Sequence, residues 1–342
     1  MATIKDVAAM AGVSVSTVSY ALNGHRPISA EKKAAIKAAV QRLQYRPNAI
    51  ARSLASKRTH ILAILFPHVE HGIGLSEIDL IMEAAKSTIQ HGYQLVIWTL
   101  ETNTDEELGQ LLNQELVDGV ILMEVHLNDR RIGVLQSRNI PFILLGRDME
   151  KPEETYIDID FSATMMDCLT YLKGLGHRRL AFINQSEVSF AAGYGPVVRT
   201  HGAFNQFCEN LGLAGREVFC DSDPARVCGV TEQILTDSPE TTAFISMNDK
   251  SLPGLIRGIE NKRLRIPQDV SLVSIVSSAA SVASFLPPIT AFEMDIHTLM
   301  DSAVTQLAAK IDGRYAELKQ RLIPCVLHER QSAGRSTGTN IS

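Results

Sequence analysis

The sequence predicts a small all-α helix-turn-helix head followed by an α/β body built as two doubly wound parallel-sheet lobes. Three observations predict it. Ile4, Val7, Ala8 and Ala11, then Val18, Ala21 and Leu22, recur at helical spacing, broken by Gly12-Val13-Ser14. Charge is divided along the chain: ten Lys or Arg stand against two acids through His60, and 23 against 36 in the remainder, for −5 in all. From Ile61 onward, apolar strand-like runs alternate with amphipathic helical ones.

The head comes first, over residues 1–46. Gly12 allows the positive φ that a tight turn needs, and Ser14 is placed to cap the helix that follows. A second helix entered this way fits a DNA major groove, where its first residues and those one turn on meet base edges. Val15, Ser16 and Tyr20 hold those positions: a methyl-bearing side chain for a thymine methyl and two hydroxyls for base hydrogen bonds. Thr3, Ser14, Thr17, Ser19 and Asn23 are short polar residues suited to phosphates, and Arg26 adds a cation beside them. A third helix is expected over residues 30–43, with Ser29 as its cap, and Ile36, Val40 and Leu43 closing a small core. A basic head on an acidic body suits a segment that gains free energy by releasing DNA counterions.

Residues 47–60 read as a hinge and linker. Tyr45-Arg46-Pro47-Asn48 breaks the third helix, and residues 49–54 have helical composition but are too short to be helical alone in water.

The body, residues 61–330, is expected as strands at 61–66, 93–100, 117–123 and 142–145 with helices at 75–91, 105–115 and 130–138 between them. A second series follows, with strands at 180–183, 243–246 and 272–276 and helices at 164–174, 199–211, 225–235 and 250–261. The first lobe is assigned residues 61–160 and 290–322, including a last helix at 299–311, and the second lobe 161–289 and 323–330. Residues 331–342, rich in Ser, Gly and Thr with no leucine heptad, are expected to be disordered, which favours a dimer over a zippered tetramer.

No catalytic set emerges, so no enzyme activity, cofactor or metal is expected. Gly72-Ile73-Gly74 is followed by Glu77 where a dinucleotide fingerprint needs a third glycine, and no Gly-Lys-Ser/Thr phosphate loop occurs. Five scattered cysteines show no zinc spacing, and with no signal-like or membrane-length apolar run the expected location is cytoplasmic, at the nucleoid.

With ATIKDVA, GVSVSTVS and YRPNAIARSL in the head, and IDID, LGHRRLAFI, Arg199-x-x-Gly202, Asn248-Asp249 and RIPQDVSLV in the body, the chain resembles the lactose-repressor (LacI/GalR) family. Its head is most similar to the purine-repressor branch. The resemblance implies a body like periplasmic sugar-binding proteins, with a small-molecule effector between the lobes, a homodimer and a pseudo-palindromic operator. It implies that residues 49–54 form a helix only on DNA, with Leu54 as the wedge inserted from the minor groove. It places effector contacts at Arg199, Asn248 and Asp249, with Arg147 and Leu75 after cleft-edge strands. Where many members carry a Gly-aromatic-Asp, this chain has Ser274-Ile275-Val276, and Val276 cannot accept a hydrogen bond. Gly74-Leu75 replaces an aromatic pair and Gly146 a frequent acid, so a simple hexose pocket is not expected: the effector is less hydroxylated, bulkier or anionic, or the pocket binds it differently. Two alternatives stay open: a periplasmic-type binder with no DNA role, and a regulator whose pocket is non-functional.

Overall fold

The computed structural model describes residues 2–23, 28–45, 58–66, 73–100, 104–247, 249–336 and 338. It divides into two compact units, residues 1–60 and 61–342.

In the first unit, α1 (Ile4–Ala11) is capped at both ends. The Thr3 hydroxyl and backbone N–H both donate to the Asp6 carboxylate, at 2.8 and 2.7 Å, and Gly12 closes the helix at φ +65°. Helix α2 (Val15–Asn23) starts at Ser14, whose Oγ accepts from the Thr17 N–H at 3.1 Å. Helix α3 (Ala30–Arg42) has Ser29 as its cap. Val7, Ala8, Val18, Ile36 and Ala39 form the buried centre, ringed by Ile4, Ala11, Ala21, Val40 and Leu43. The expected helix at 49–54 lies outside the described residues.

The second unit opens with β1 (Ile61–Phe66), α4 (Leu75–Gln90), β2 (Gln94–Thr99), α5 (Asp105–Leu112), β3 (Gly119–Leu122), α6 (Arg130–Ser137), β4 (Phe142–Leu145) and β5 (Tyr156–Ile159). The chain then crosses to α7 (Phe161–Gly174), β6 (Arg179–Asn184), α8 (Glu187–Ala191), α9 (Gly195–Leu211), β7 (Ala214–Phe219), α10 (Pro224–Asp237), β8 (Ala243–Met247), α11 (Leu252–Asn261), β9 (Ser271–Ser277), α12 (Ala279–Ala283) and β10 (Thr290–Glu293). It returns through α13 (Ile296–Ile311) to β11 (Arg321–Ile323), and ends on β12 (Val326–His328). Asp160 and Asp295 cap the helices at the first two crossings, each accepting a backbone N–H three residues on.

The sheets run β11-β5-β4-β3-β1-β2 and β12-β10-β9-β8-β6-β7. Central strands such as β1 and β9 are buried along almost their whole length, as strands covered by helices on both faces must be. Three sequence expectations need correction. Residues 290–293 belong to the second lobe, because β10 pairs in parallel with β9 there; the crossing follows Glu293 rather than preceding Thr290. Ile323 stays in the first sheet, paired with Ile159. The second sheet is not wholly parallel, since β12 pairs antiparallel with β10.

The expected disorder of residues 331–342 is also overturned for its first half. Ser332 is fully buried; its hydroxyl donates to the Leu272 carbonyl at 2.6 Å and accepts from the Thr290 N–H at 2.8 Å. The Gly334 N–H donates to Ser271 Oγ at 3.0 Å, and the Ser336 N–H to the Leu175 carbonyl at 2.9 Å. Small polar residues read as a flexible tail by composition, yet here they satisfy backbone groups at the edge of the second lobe.

Candidate functional site

On α2, Ser16 and Tyr20 lie opposite the side that buries Val18, with Ser19 and Val15 at the flanks and Val15 41% exposed. Ser14 and Thr17 are tied to each other, Oγ to Oγ1 at 2.8 Å, and Ser14 Oγ also meets Ser16 Oγ at 2.8 Å. The hydroxyl of Thr3 is committed to Asp6. The side chain of Asn23, and all of Arg26 and Leu54, lie outside the described residues.

The second unit holds a cavity of about 110 Å³ between the lobes, at the carboxyl ends of the parallel strands, where open α/β sheets bind ligands. Each lobe supplies part of its wall: Leu80, Met123, Glu124, Gly146 and Asp158 from the first, Phe161, Gln185, Tyr194, Met247 and Val276 from the second, and Met294 from a crossing. Most of the wall is apolar. Among the described residues its charged members are all carboxylates: Glu77, Glu124 and Asp158.

Backbone conformation marks this site as well. Glu124 after β3 has φ +51° and Val276 within β9 has φ +57°, both in the left-handed region that disfavours side chains and β-branched ones most. Near Val276 the register of β9 against β10 shifts, so the strand kinks where it meets the cavity. Gly146, after β4, has φ +129°, and a Cβ there would lie 2.9 Å from Val125 Cβ. That close approach explains glycine where the family resemblance expects an acid. Strain collected around one cavity is a mark of a binding site.

Polar contacts join the lobes around it. Lys250 Nζ lies 2.6 Å from Glu77 Oε1, and the Ser278 N–H donates to Ser76 Oγ at 2.9 Å. Arg199 on α9 reaches across to donate to the Arg147 carbonyl at 2.6 Å, and its Nη1 lies 3.5 Å from Asp158 Oδ2. Arg147 also pairs with Asp158, at 2.9 Å, within the first lobe. Burial pushes the Asp158 carboxyl up, opposed by the two arginines, and burial pushes the Glu124 carboxyl up with weaker opposition from Lys250.

These positions reorder the sequence candidates. Val276 lines the cavity. Arg147 and Arg199 do not line it; they are held by Asp158 and by backbone, which makes them bracing residues. Leu75 is corrected: it is 53% exposed at the start of α4, and its neighbours Ser76 and Glu77 form the wall instead. Asp249 is buried behind the wall with Oδ1 lacking a hydrogen-bond partner, and Asn248 lies outside the described residues. Sequence reading missed Glu77, Glu124, Gln185 and Tyr194. The rule that singled out residues after cleft-edge strands extends to Glu124, which follows β3, and to Gln185, which follows β6.

Residues 3–48 match the family described as bacterial regulatory proteins, lacI family, and residues 169–333 match the periplasmic binding protein-like domain. The chain thus carries a lacI-family DNA-binding domain followed by a periplasmic binding protein-like domain. Two similar proteins are the HTH-type transcriptional repressor PurR of Serratia proteamaculans (strain 568) and that of Yersinia pestis bv. Antiqua (strain Antiqua). Each is 29% identical over 340 residues, covering 97% of both chains. Among solved structures, the Lac repressor dimer bound to operator and the anti-inducer ONPF aligns with TM-score 0.79 and 24% identity, covering 97% of this chain and 99% of that one. The transcriptional regulator CelR in complex with cellobiose aligns with TM-score 0.70 and 23% identity, over 97% and 100%. These structural likenesses establish the fold across nearly the full length.

Proposed function

We propose that this lacI-family protein is a sequence-specific transcriptional repressor of the cytoplasm, not an enzyme, whose DNA affinity is set by a small molecule bound between its lobes. The observation that carries this reading is the strained, carboxylate-bearing cavity in a chain that also has a lacI-family head. In this reading Val15, Ser16 and Tyr20 contact bases, and Ser19, Asn23 and Arg26 contact phosphates, with Ser14, Thr17 and Thr3 shaping the turn and helix starts beside them. Leu54 is the minor-groove wedge. The head comprises residues 1–46, the hinge 47–60 and the effector-binding body the rest.

A homodimer fits the surface of the first lobe. Leu75, Ile78, Met82 and Ile89 are all exposed, and their spacing puts them on one face of α4. An apolar stripe of this kind on a helix is suited to a second copy of the same chain, and a two-fold dimer matches a pseudo-palindromic operator. Among the described residues, no helix is long and apolar enough to cross a membrane.

The test is selection of bound duplexes from random DNA by the full-length protein. The expected result is a symmetric consensus with half-sites about one helical turn apart. Leu54→Ala is expected to weaken binding at the centre of that consensus. Recovery of no consensus would overturn the repressor reading in favour of a small-molecule binder without a DNA role.

A further inference from the structure

The cavity wall specifies the chemistry of its ligand more closely than the fold does. Of its three carboxylates, two are matched by the protein itself: Glu77 by Lys250 at 2.6 Å, and Asp158 by Arg147 and Arg199 at 2.9 and 3.5 Å. The Glu124 side chain has no ion pair and no hydrogen bond among the described residues. Its backbone carbonyl, in contrast, is occupied by the Arg131 guanidinium at 3.0 Å, and that arginine is further held by Asp129. Glu124 is therefore fixed by its backbone, in a left-handed conformation, with an unmatched acid at the cavity. Gln185 and Tyr194 stand on the same wall and present neutral amide and phenol groups. The remainder, including Leu80, Met123 and Met294, is apolar.

Resting on the reading of this cavity as the effector site, we propose that the effector is a small amine with a compact apolar body, its protonated nitrogen seated at Glu124 and its carbon frame among the methionines and leucines. A half-buried acid in an apolar cavity is costly when charged and alone, and a ligand ammonium supplies the missing partner. An anionic effector is disfavoured, because among the described residues the wall carries three carboxylates and no cation. A polyhydroxylated sugar would leave many hydroxyls against apolar wall. The volume, about 110 Å³, is on the scale of a cavity that takes a single small ring.

Calorimetric titration of the full-length protein with three probes of one shape tests this: cyclohexylmethylamine, cyclohexylmethanol and cyclohexanecarboxylate. Cellobiose and hypoxanthine serve as chemically distinct comparators. The amine is expected to bind at least about tenfold more tightly than the alcohol or the carboxylate, with Glu124→Gln removing that preference and Glu124→Asp retaining it. Thermal melts of both variants establish that they fold. Equal or tighter binding of the alcohol or carboxylate, binding of the sugar or purine in place of the amine, or an amine preference that survives Glu124→Gln overturns the amine assignment while leaving the cavity as the effector site. Silence from all five compounds overturns both.

Discussion

The two lobes repeat one plan, with the carboxyl-terminal pair of strands, β11 and β12, added at corresponding edges of the two sheets. They bring opposite charges to the cleft between them. The first lobe contributes Glu77, Glu124 and Asp158; the second contributes Lys250 and Arg199. Closing the lobes matches Glu77 with Lys250, adds Arg199 to the Arg147–Asp158 pair and leaves the third acid, Glu124, without an ion pair among the described residues. Shared topology therefore builds a cleft without deciding what enters it, and unequal residues at equivalent strand ends decide both how the cleft closes and what it takes.

The largest expected effect comes from breaking the match at Asp158. Arg199→Ala removes the second lobe's cation and its bond to the Arg147 carbonyl, and is expected to cost about 3 kcal/mol in urea unfolding of the body. Loss of less than about 0.5 kcal/mol would mean that Arg147 alone satisfies Asp158. Next is Gly146→Ala. Its new Cβ meets Val125 at 2.9 Å in a backbone conformation that favours glycine, with an expected cost of about 2 kcal/mol by the same measurement. Lys250→Met breaks the other cross-lobe pair and strands Glu77. An expected loss of about 1 kcal/mol accompanies a larger radius of gyration by X-ray scattering, as the lobes part. An unchanged radius would show that the serine contacts hold the cleft by themselves.

The smallest effect sharpens the exception. Burial raises the Glu124 carboxyl above its ordinary value of 4.5, so the folded body favours the protonated acid. That contribution is fully present below pH 4.5 and is lost as pH rises through the raised value. Glu124→Gln is expected to flatten the stability profile above pH 4.5 relative to the parent; parallel profiles would show that Glu124 stays ordinary.

Much of this fold can be read from the residues. Helical spacing of Val7, Ala8, Val18 and Ile36 gave the head's core, and unbroken runs such as residues 61–66 gave the buried parallel strands. Edge strands were harder. β12 has only three residues and β7 is exposed or half-buried along its length, since only one side of an edge strand is paired, and so neither carries the unbroken apolar run of a central strand. Residues 290–293, read as part of the first lobe and not as a strand, belong to the second, because sheet membership depends on pairing with β9 across the chain. At the site, Val276 could be picked out because it replaces a residue expected there. Glu124 and Tyr194 carry no motif of their own, and only the docking of two lobes reveals that they share a wall. The tail misled for a similar reason: composition reports what Ser332 and Gly334 can do alone, not the backbone groups they meet.

The central claim is that lobe closure and DNA binding are linked. It is tested most directly by fluorescence anisotropy with the selected duplex, comparing the full-length parent with Lys250→Met in the absence of any small molecule. The linkage predicts that loosening the cleft changes the dissociation constant by at least about fivefold. Identical affinities for the two proteins, with the cleft shown by scattering to have opened, would contradict it.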